Sequence, residues 1–296
     1  MVKQKNPIAA QANLIFLITI LTTLVGSIIF QPIIGMGSNL WINEFVWILF
    51  PVLLMAKLKG WSLEGVYHFQ STTRKNKSIS IMAGISIWFF AVYISMITHF
   101  LLDSKIGTIN MDIINADTSV YQMILLIIGM VILAPICEEI FFRGFVQNAY
   151  EASSKRYGFV FAALLFGSMH ILNGLSEVIP ACIIGLVLGY LVYRTGSIVN
   201  SMLAHAASNI SSILFGGLLG FYANSIPYWL HFLGFGALGI TILVLTRLKG
   251  TDQEEVVEED QTGRKKSIIS IVSLSSIGLF MIVIGTMEFL KRMGKI

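Results

Sequence analysis

Nine long stretches of Ile, Leu, Phe, Val and Met follow one another along this chain, parted by short polar connections. As a helix, about 20 such residues cross the hydrocarbon core of a bilayer, and a helix satisfies its own backbone there. Charged residues make up 12% of the chain and hydrophobic ones 55%, with a mean hydropathy of +0.79. A soluble domain carries about 25% charged residues. The fold class that follows is all-α: a polytopic transmembrane helical bundle of about eight core helices plus a ninth, C-terminal helix.

The pattern predicts spans at roughly Ile8–Phe30, Trp41–Ala56, Ile79–Leu102, Val120–Tyr150, Gly158–Leu172, Val178–Tyr193, Ser197–Leu219, Tyr228–Leu245 and Ser267–Leu290. Gln31-Pro32 is expected to end the first, and Asn173-Gly174 the fifth. The first span is too long for a signal-peptide core and is taken as retained. Residues 1–119 read as N-terminal helices and loops, 120–250 as the functional core, 251–266 as a charged linker and 267–296 as an added helix. Glu254, Glu255, Glu258, Glu259 and Asp260, then Arg264 to Lys266, mark that linker as a solvated connection.

Lys3 and Lys5, Lys57 and Lys59, Arg74 to Lys77, Lys155 and Arg156, Arg194, and Arg247 to Lys266 fall on one side if every segment spans. That side is expected to be cytoplasmic, with the N-terminus on it, in a bacterial cell membrane. Lys291, Arg292 and Lys295 break the rule, so the ninth segment either spans against it or re-enters. These basic residues report topology and imply no nucleic-acid partner. Cys137 and Cys182 both lie in apolar segments and suggest packing rather than a disulfide.

Between Tyr121 and Cys137 there is no charge; then Glu138, Glu139 and Arg143 arrive together. Carboxylates at membrane depth cost roughly 2.5–3.5 kcal/mol each on insertion scales, so they are retained where they have partners or a task. Glu139 and Arg143 share a helix face at i, i+4, which makes them a supporting pair. Glu138 points about 100° away and is left free. His170 on the fifth span, and His205 with Asn209 one turn later on the seventh, fall at a similar depth. Counted from the cytoplasmic ends at about 1.5 Å per residue, all four lie roughly 12–18 Å up. Gly185 and Gly189 form a small-xxx-small packing pair on the sixth span. His68, His99 and His231 read as interfacial or structural.

Glutamate with histidine can activate water. Histidine with asparagine can donate to a developing oxyanion. The candidate catalytic residues are therefore Glu138, His170, His205 and Asn209, supported by Glu139 and Arg143, in a hydrolysis without a covalent intermediate. Two His and one Glu also make a zinc-hydrolase ligand set. Asn is an unusual zinc ligand and a good oxyanion donor, so the reading is metal-free with no cofactor, and a zinc-dependent version of the same hydrolysis is the alternative. Two other accounts stand beside it. In a non-catalytic immunity or scaffold protein these motifs hold helices together. In a proton-coupled transporter Glu138 and the histidines form a relay, though no internal repeat supports matched halves.

Glu138-Glu-x-x-x-Arg143, Phe166-x-x-x-His170 and His205-x-x-x-Asn209, in that order on successive apolar helices, resemble the CPBP family of intramembrane proteases. That family is also called Abi or CAAX-protease-and-bacteriocin-processing, and includes the type II CAAX prenyl endopeptidases. The resemblance covers about Val120 to Leu219. It implies a glutamate-dependent intramembrane endopeptidase with a cavity open to the cytoplasm, in which Glu138 and His170 activate water and His205 and Asn209 stabilise the oxyanion. The partners it implies are membrane lipid and a peptide or protein substrate entering from the membrane or the cytoplasmic side. Trimming of prenylated tails, peptide processing and bacteriocin immunity are all compatible with it.

Overall fold

A computed structural model describes residues 6–107, 119–152, 156–220, 226–250 and 263–295. Nine main helices build it. They are α1 (Ala9–Ile34), α2 (Met36–Lys59), α3 (Arg74–Ile106), α4 (Val120–Glu151), α5 (Gly158–Met169), α6 (Leu175–Thr195), α7 (Ile198–Gly220), α8 (Tyr228–Leu245) and α9 (Gly263–Arg292). Eight are long and apolar enough to cross a membrane. The exception is α5 with the short 3-10 turn His170–Asn173 that ends it. At about 1.5 Å per residue it falls short of a hydrocarbon core of about 30 Å. Among the described residues there is no strand. The chain is a polytopic helical bundle.

Helix ends depart from expectation where caps and prolines act. Pro32 does not stop α1, which runs on to Ile34 and ends at Gly35, at φ 82°. In the last turn a proline removes a single backbone hydrogen bond, so the helix outlives it. Thr73 caps α3 by accepting from the Asn76 amide. Arg74, Lys75 and Lys77 thus belong to the helix rather than to the connection before it. The acidic run from Thr251 to Asp260, and most of the connection after α3, lie outside the described residues.

Two groups of helices pack side by side. α3, α6, α7 and α8 form one, with Ile87, Leu188, Leu191 and Ala204 in its core. α1, α2 and α5 pack on α4 in the other, with α9 against α1 and α5 also lying along α6; here Phe16 packs edge-on against Phe142 and Phe141 against Phe145. Exposed Leu14, Ile18, Val25 and Ile28 on α1, like Ile271, Leu279 and Ile282 on α9, present the face a bilayer would cover.

α9 lies beside α1 and runs the height of the bundle. Near its start, Ser270 accepts from Asn13 of α1, which in turn accepts from Tyr150 at the end of α4. At its other end, Arg292 Nη1 meets Asp103 Oδ1 at 2.6 Å near the end of α3, and Glu288 Oε2 accepts from the Leu175 amide at the start of α6. The segment is one continuous helix, long and apolar enough to cross a membrane. Of the three basic residues that broke the charge rule, Arg292 is paired: it holds Glu288 at 2.8 Å as well as Asp103.

Candidate active site

α4 changes register twice around its carboxylates. Gly129–Leu133 and Ile140–Gln147 are π turns, and the α turn Ala134–Glu139 sits between them. In a π turn each N–H reaches back five residues, as Ala134 does to Gly129 O. The next bond in that ladder would run from residue 135 to Met130 O, but Pro135 has no N–H. Asn209 on α7 takes the place: its Nδ2 donates to Met130 O at 2.7 Å. A third π turn, Asn43–Leu49, lies in α2 just before Pro51. There Thr19 of α1 donates to Trp47 O at 3.1 Å. Such turns recur at functional sites because they re-aim side chains.

Below the first turn lies a charged cluster with no access to solvent. Glu139 and Arg143 are both fully buried and meet at 2.8 Å through Oε1 and Nη1. Arg143 Nη2 donates to Gly185 O on α6 at 3.2 Å. Its guanidinium also lies 4.5 Å from the Phe166 ring centre, a favourable cation–π distance. Gly185 permits this closeness, since a Cβ there would stand 3.1 Å from Ala163 Cα. Four residues on along both helices, Gln147 repeats the contact to Gly189 O at 3.1 Å. Glu139 also accepts from Ser201 through Oε2, and from His205 Nδ1 at 2.8 Å through Oε1. A carboxylate with three donors is strongly held. Because Glu139 can only accept, His205 Nδ1 carries a proton. Its Nε2 is thereby turned toward Glu138 Oε2, 3.9 Å away.

The other expected site residues fall into place unevenly. His170 stands in the 3-10 turn that ends α5, with Nδ1 donating to Phe166 O at 2.9 Å. That bond fixes the tautomer and leaves Nε2 as an acceptor. No hydrogen bond or ion pair joins His170 to Glu138. The two histidines meet instead across Phe166, whose ring lies 4.6 Å from His170 and 5.8 Å from His205. Asn209 lies one turn beyond His205, half-buried, with one amide N–H committed to Met130 O. Among the described residues no three His, Cys, Asp or Glu side chains are grouped as a metal ion would need.

Glu138 stays outside the Glu139–Arg143 pair and its buried Oε2 has no hydrogen-bond partner, but α2 brings a second carboxyl against its turn. Glu44 lies in the Asn43–Leu49 π turn, packed against the Glu138 turn and only 3% exposed. Its buried Oε2, like that of Glu138, has no hydrogen-bond partner, and the two carboxyls act on each other electrostatically. The signal was present: a lone Glu between Trp41 and Trp47 in an apolar span carries the same cost as Glu138. Ser201, one turn before His205, and the Phe166 ring were also missed as partners. The remaining histidines lie elsewhere. His68 accepts from the Asn148 amide at 3.2 Å, His99 pairs with Asp103 at 3.1 Å, and His231 meets the Tyr93 hydroxyl at 2.7 Å.

Residues 120–211 match the family described as type II CAAX prenyl endopeptidase Rce1-like. The Glu-Glu-x-x-x-Arg turn, His170, His205 and Asn209 all lie within the matched segment, while Glu44 lies outside it. A stretch of 144 residues is 33% identical to the uncharacterized protein YyaK of Bacillus subtilis (strain 168), covering 44% of this chain and 47% of that one. The chain thus spans about half the length of the curated relative it matches. No solved structure matches it.

Proposed function

We propose that this chain is a membrane endopeptidase that hydrolyses a peptide bond with water activated by Glu138. The observation that carries the reading is the placing of His205: Glu139 holds its Nδ1 at 2.8 Å, and its Nε2 faces Glu138 at 3.9 Å. Water oxygen attacks the substrate carbonyl carbon while one of its protons passes to the Glu138 carboxylate. His170 Nε2, the free acceptor of that ring, orients the water. The carbonyl oxygen gains negative charge and is held by the second N–H of Asn209 and by His205, whose imidazolium form carries an N–H on both nitrogens before attack and keeps both throughout. As the C–N bond breaks, Glu138 returns the proton to the leaving nitrogen. General acid–base transfer of this kind is worth about 10²–10⁴-fold, and a lost oxyanion donor costs on the order of 10²–10³-fold.

The reading is metal-free, needs no cofactor, and places the N-terminus in the cytoplasm of a bacterial cell. The substrate is a peptide or protein segment, prenylated or unmodified, entering from the lipid or the cytoplasmic side. The deciding experiment compares protein and peptide termini in cells carrying wild type, Glu138→Ala or Glu139→Ala, with the abundance of each variant measured. New termini in wild type that vanish in an abundant Glu138→Ala protein support the protease. Unchanged termini, with function lost only where abundance falls, support the immunity or scaffold reading instead. Stoichiometric zinc in the purified protein, lost on His170→Ala, would replace the metal-free step with a metal-assisted one.

A further inference from the structure

Glu44 and Glu138 present each other with an unsolved contact. Both Oε2 atoms are buried, and neither receives a hydrogen bond from any other group. The turns that carry them pack together, and the Glu138 carboxyl acts directly on that of Glu44. Two carboxylates offer only lone pairs, so such a contact between ionised groups would be repulsive in a medium of low dielectric. A single proton between them turns it into a strong O–H···O⁻ bond. The other groups facing Glu138 donate no hydrogen bond to its Oε2: His205 Nε2 stands 3.9 Å away, Arg143 is within electrostatic reach but has Nη1 on Glu139, Nη2 on Gly185 O and Nε without a partner, and the Cys137 thiol lies in the same turn as Glu138.

We infer that Glu44 is a positioning residue for the site, the acid partner that shares one proton with Glu138 and aims its carboxylate. The inference rests on the reading of Glu138 as the base. Before attack the pair holds one proton and one negative charge, with the Glu44 O–H donating to Glu138. When Glu138 accepts a proton from water, the pair becomes two neutral acids as the new C–O bond forms. When Glu138 gives that proton to the leaving nitrogen, the first state returns. Glu44 keeps its own proton throughout. α2 thereby contributes to a site otherwise built from the matched segment, and the site is a carboxyl dyad rather than a lone glutamate.

Infrared spectroscopy of the purified full-length protein at neutral pH tests this without scoring proteolysis. Wild type is expected to show one carboxylic-acid C=O band that Glu44→Gln removes. Glu138→Gln should keep that band and shift it, because Glu44 then loses its charged neighbour. A wild-type spectrum without such a band, or a band that neither substitution touches, overturns the dyad. If Glu44→Gln does not accumulate in membranes, the comparison of wild type with Glu138→Gln makes the same decision. The dyad can therefore fail while the peptidase stands, or the reverse. Where the new termini are found, Glu44→Gln, which keeps an N–H toward Glu138, should cut them at least about 10-fold faster than Glu44→Ala, as expected for loss of a hydrogen bond to a charged group. Its pH profile should also differ from that of wild type. Equal rates and profiles in wild type, Glu44→Gln and Glu44→Ala would overturn the positioning role.

Discussion

Arg143 and Arg292 stand among almost the same partners. Each pairs with the Glu four residues before it at 2.8 Å and donates to one backbone carbonyl at 3.2 Å. Each cluster also includes a histidine held by one of its carboxylates, His205 on Glu139 and His99 on Asp103. They differ in surroundings. The side chains of Glu139 and Arg143 are wholly inaccessible, whereas Asp103 and Glu288 keep 13% and 10% exposure, and His99 keeps 31% against 7% for His205. Beyond His205 lies a second pair of carboxyls; beyond His99, among the described residues, none is found. The same chemical parts therefore clasp three helix ends in one place and set up a histidine in the other. Residue types alone do not separate a site from a clasp. Burial and the unsatisfied carboxyl on the far side do.

The sharpest way to break that comparison is to remove each arginine in turn. Arg143→Ala leaves Glu139 charged in a closed interior, a change worth about 3–5 kcal/mol. The protein is expected to lose most of its abundance in membranes, and Arg143→Lys not to restore it, because one ammonium cannot serve Glu139 and Gly185 O in the planar geometry of a guanidinium. Arg292→Ala leaves Asp103 and Glu288 near solvent, and about 1 kcal/mol is expected. Thermal unfolding in one detergent, on both variants, measures the difference. Equal losses would mean that the two clusters are energetically alike.

Next in size is the fit of α7, which carries His205. Gly84 of α3 lies directly against the Ala204 backbone, so that any Cβ would collide with the Ala204 carbonyl. Backbone cannot swing aside as a side chain can, so Gly84→Ala should cost about 1–3 kcal/mol as overpacking. It should also lower hydrolysis more than abundance, since the residue displaced adjoins His205. Asn209→Ala is expected to cost a similar 1–3 kcal/mol, because Met130 O is left without a donor. A stable Asn209→Ala protein would show that water reaches the Pro135 turn.

Much of this was legible in the sequence, for a definite reason. Lipid demands long apolar helices, so the spans and the Glu139–Arg143 pairing announce themselves by composition and by i, i+4 spacing. Three features were harder to read. The π turns at Asn43–Leu49 and Gly129–Leu133 have no residue signature, although the prolines that follow them hint at a broken ladder. Phe166 is an ordinary apolar residue until the fold sets its ring between two histidines. Glu44 was written as plainly as Glu138 but lies apart from any cluster of motifs. The lesson from α2 is that one charge in an apolar span calls for a partner, even where nothing near it in sequence suggests one.

The smallest expected effect concerns a histidine with no carboxylate beside it, and so sets the baseline for the other two. His68 lies between α2 and α3 with φ 53°, accepting from Asn148 Nδ2 at 3.2 Å while its own carbonyl accepts from the Ile198 amide. Burial holds its pKa below the ordinary 6.5. A group that is harder to protonate when folded adds stability above its unfolded pKa, and that stability is lost as pH falls below it. Protonation would also put an N–H where Asn148 already donates. Acidification from pH 7 through the region below 6.5 should therefore lower the unfolding temperature of wild type. His68→Asn, which tolerates the same positive φ, should remove that component of the slope. The effect should be smaller than that of Arg292→Ala. A His68→Asn protein whose acid sensitivity equals that of wild type would show that His68 does not carry the slope.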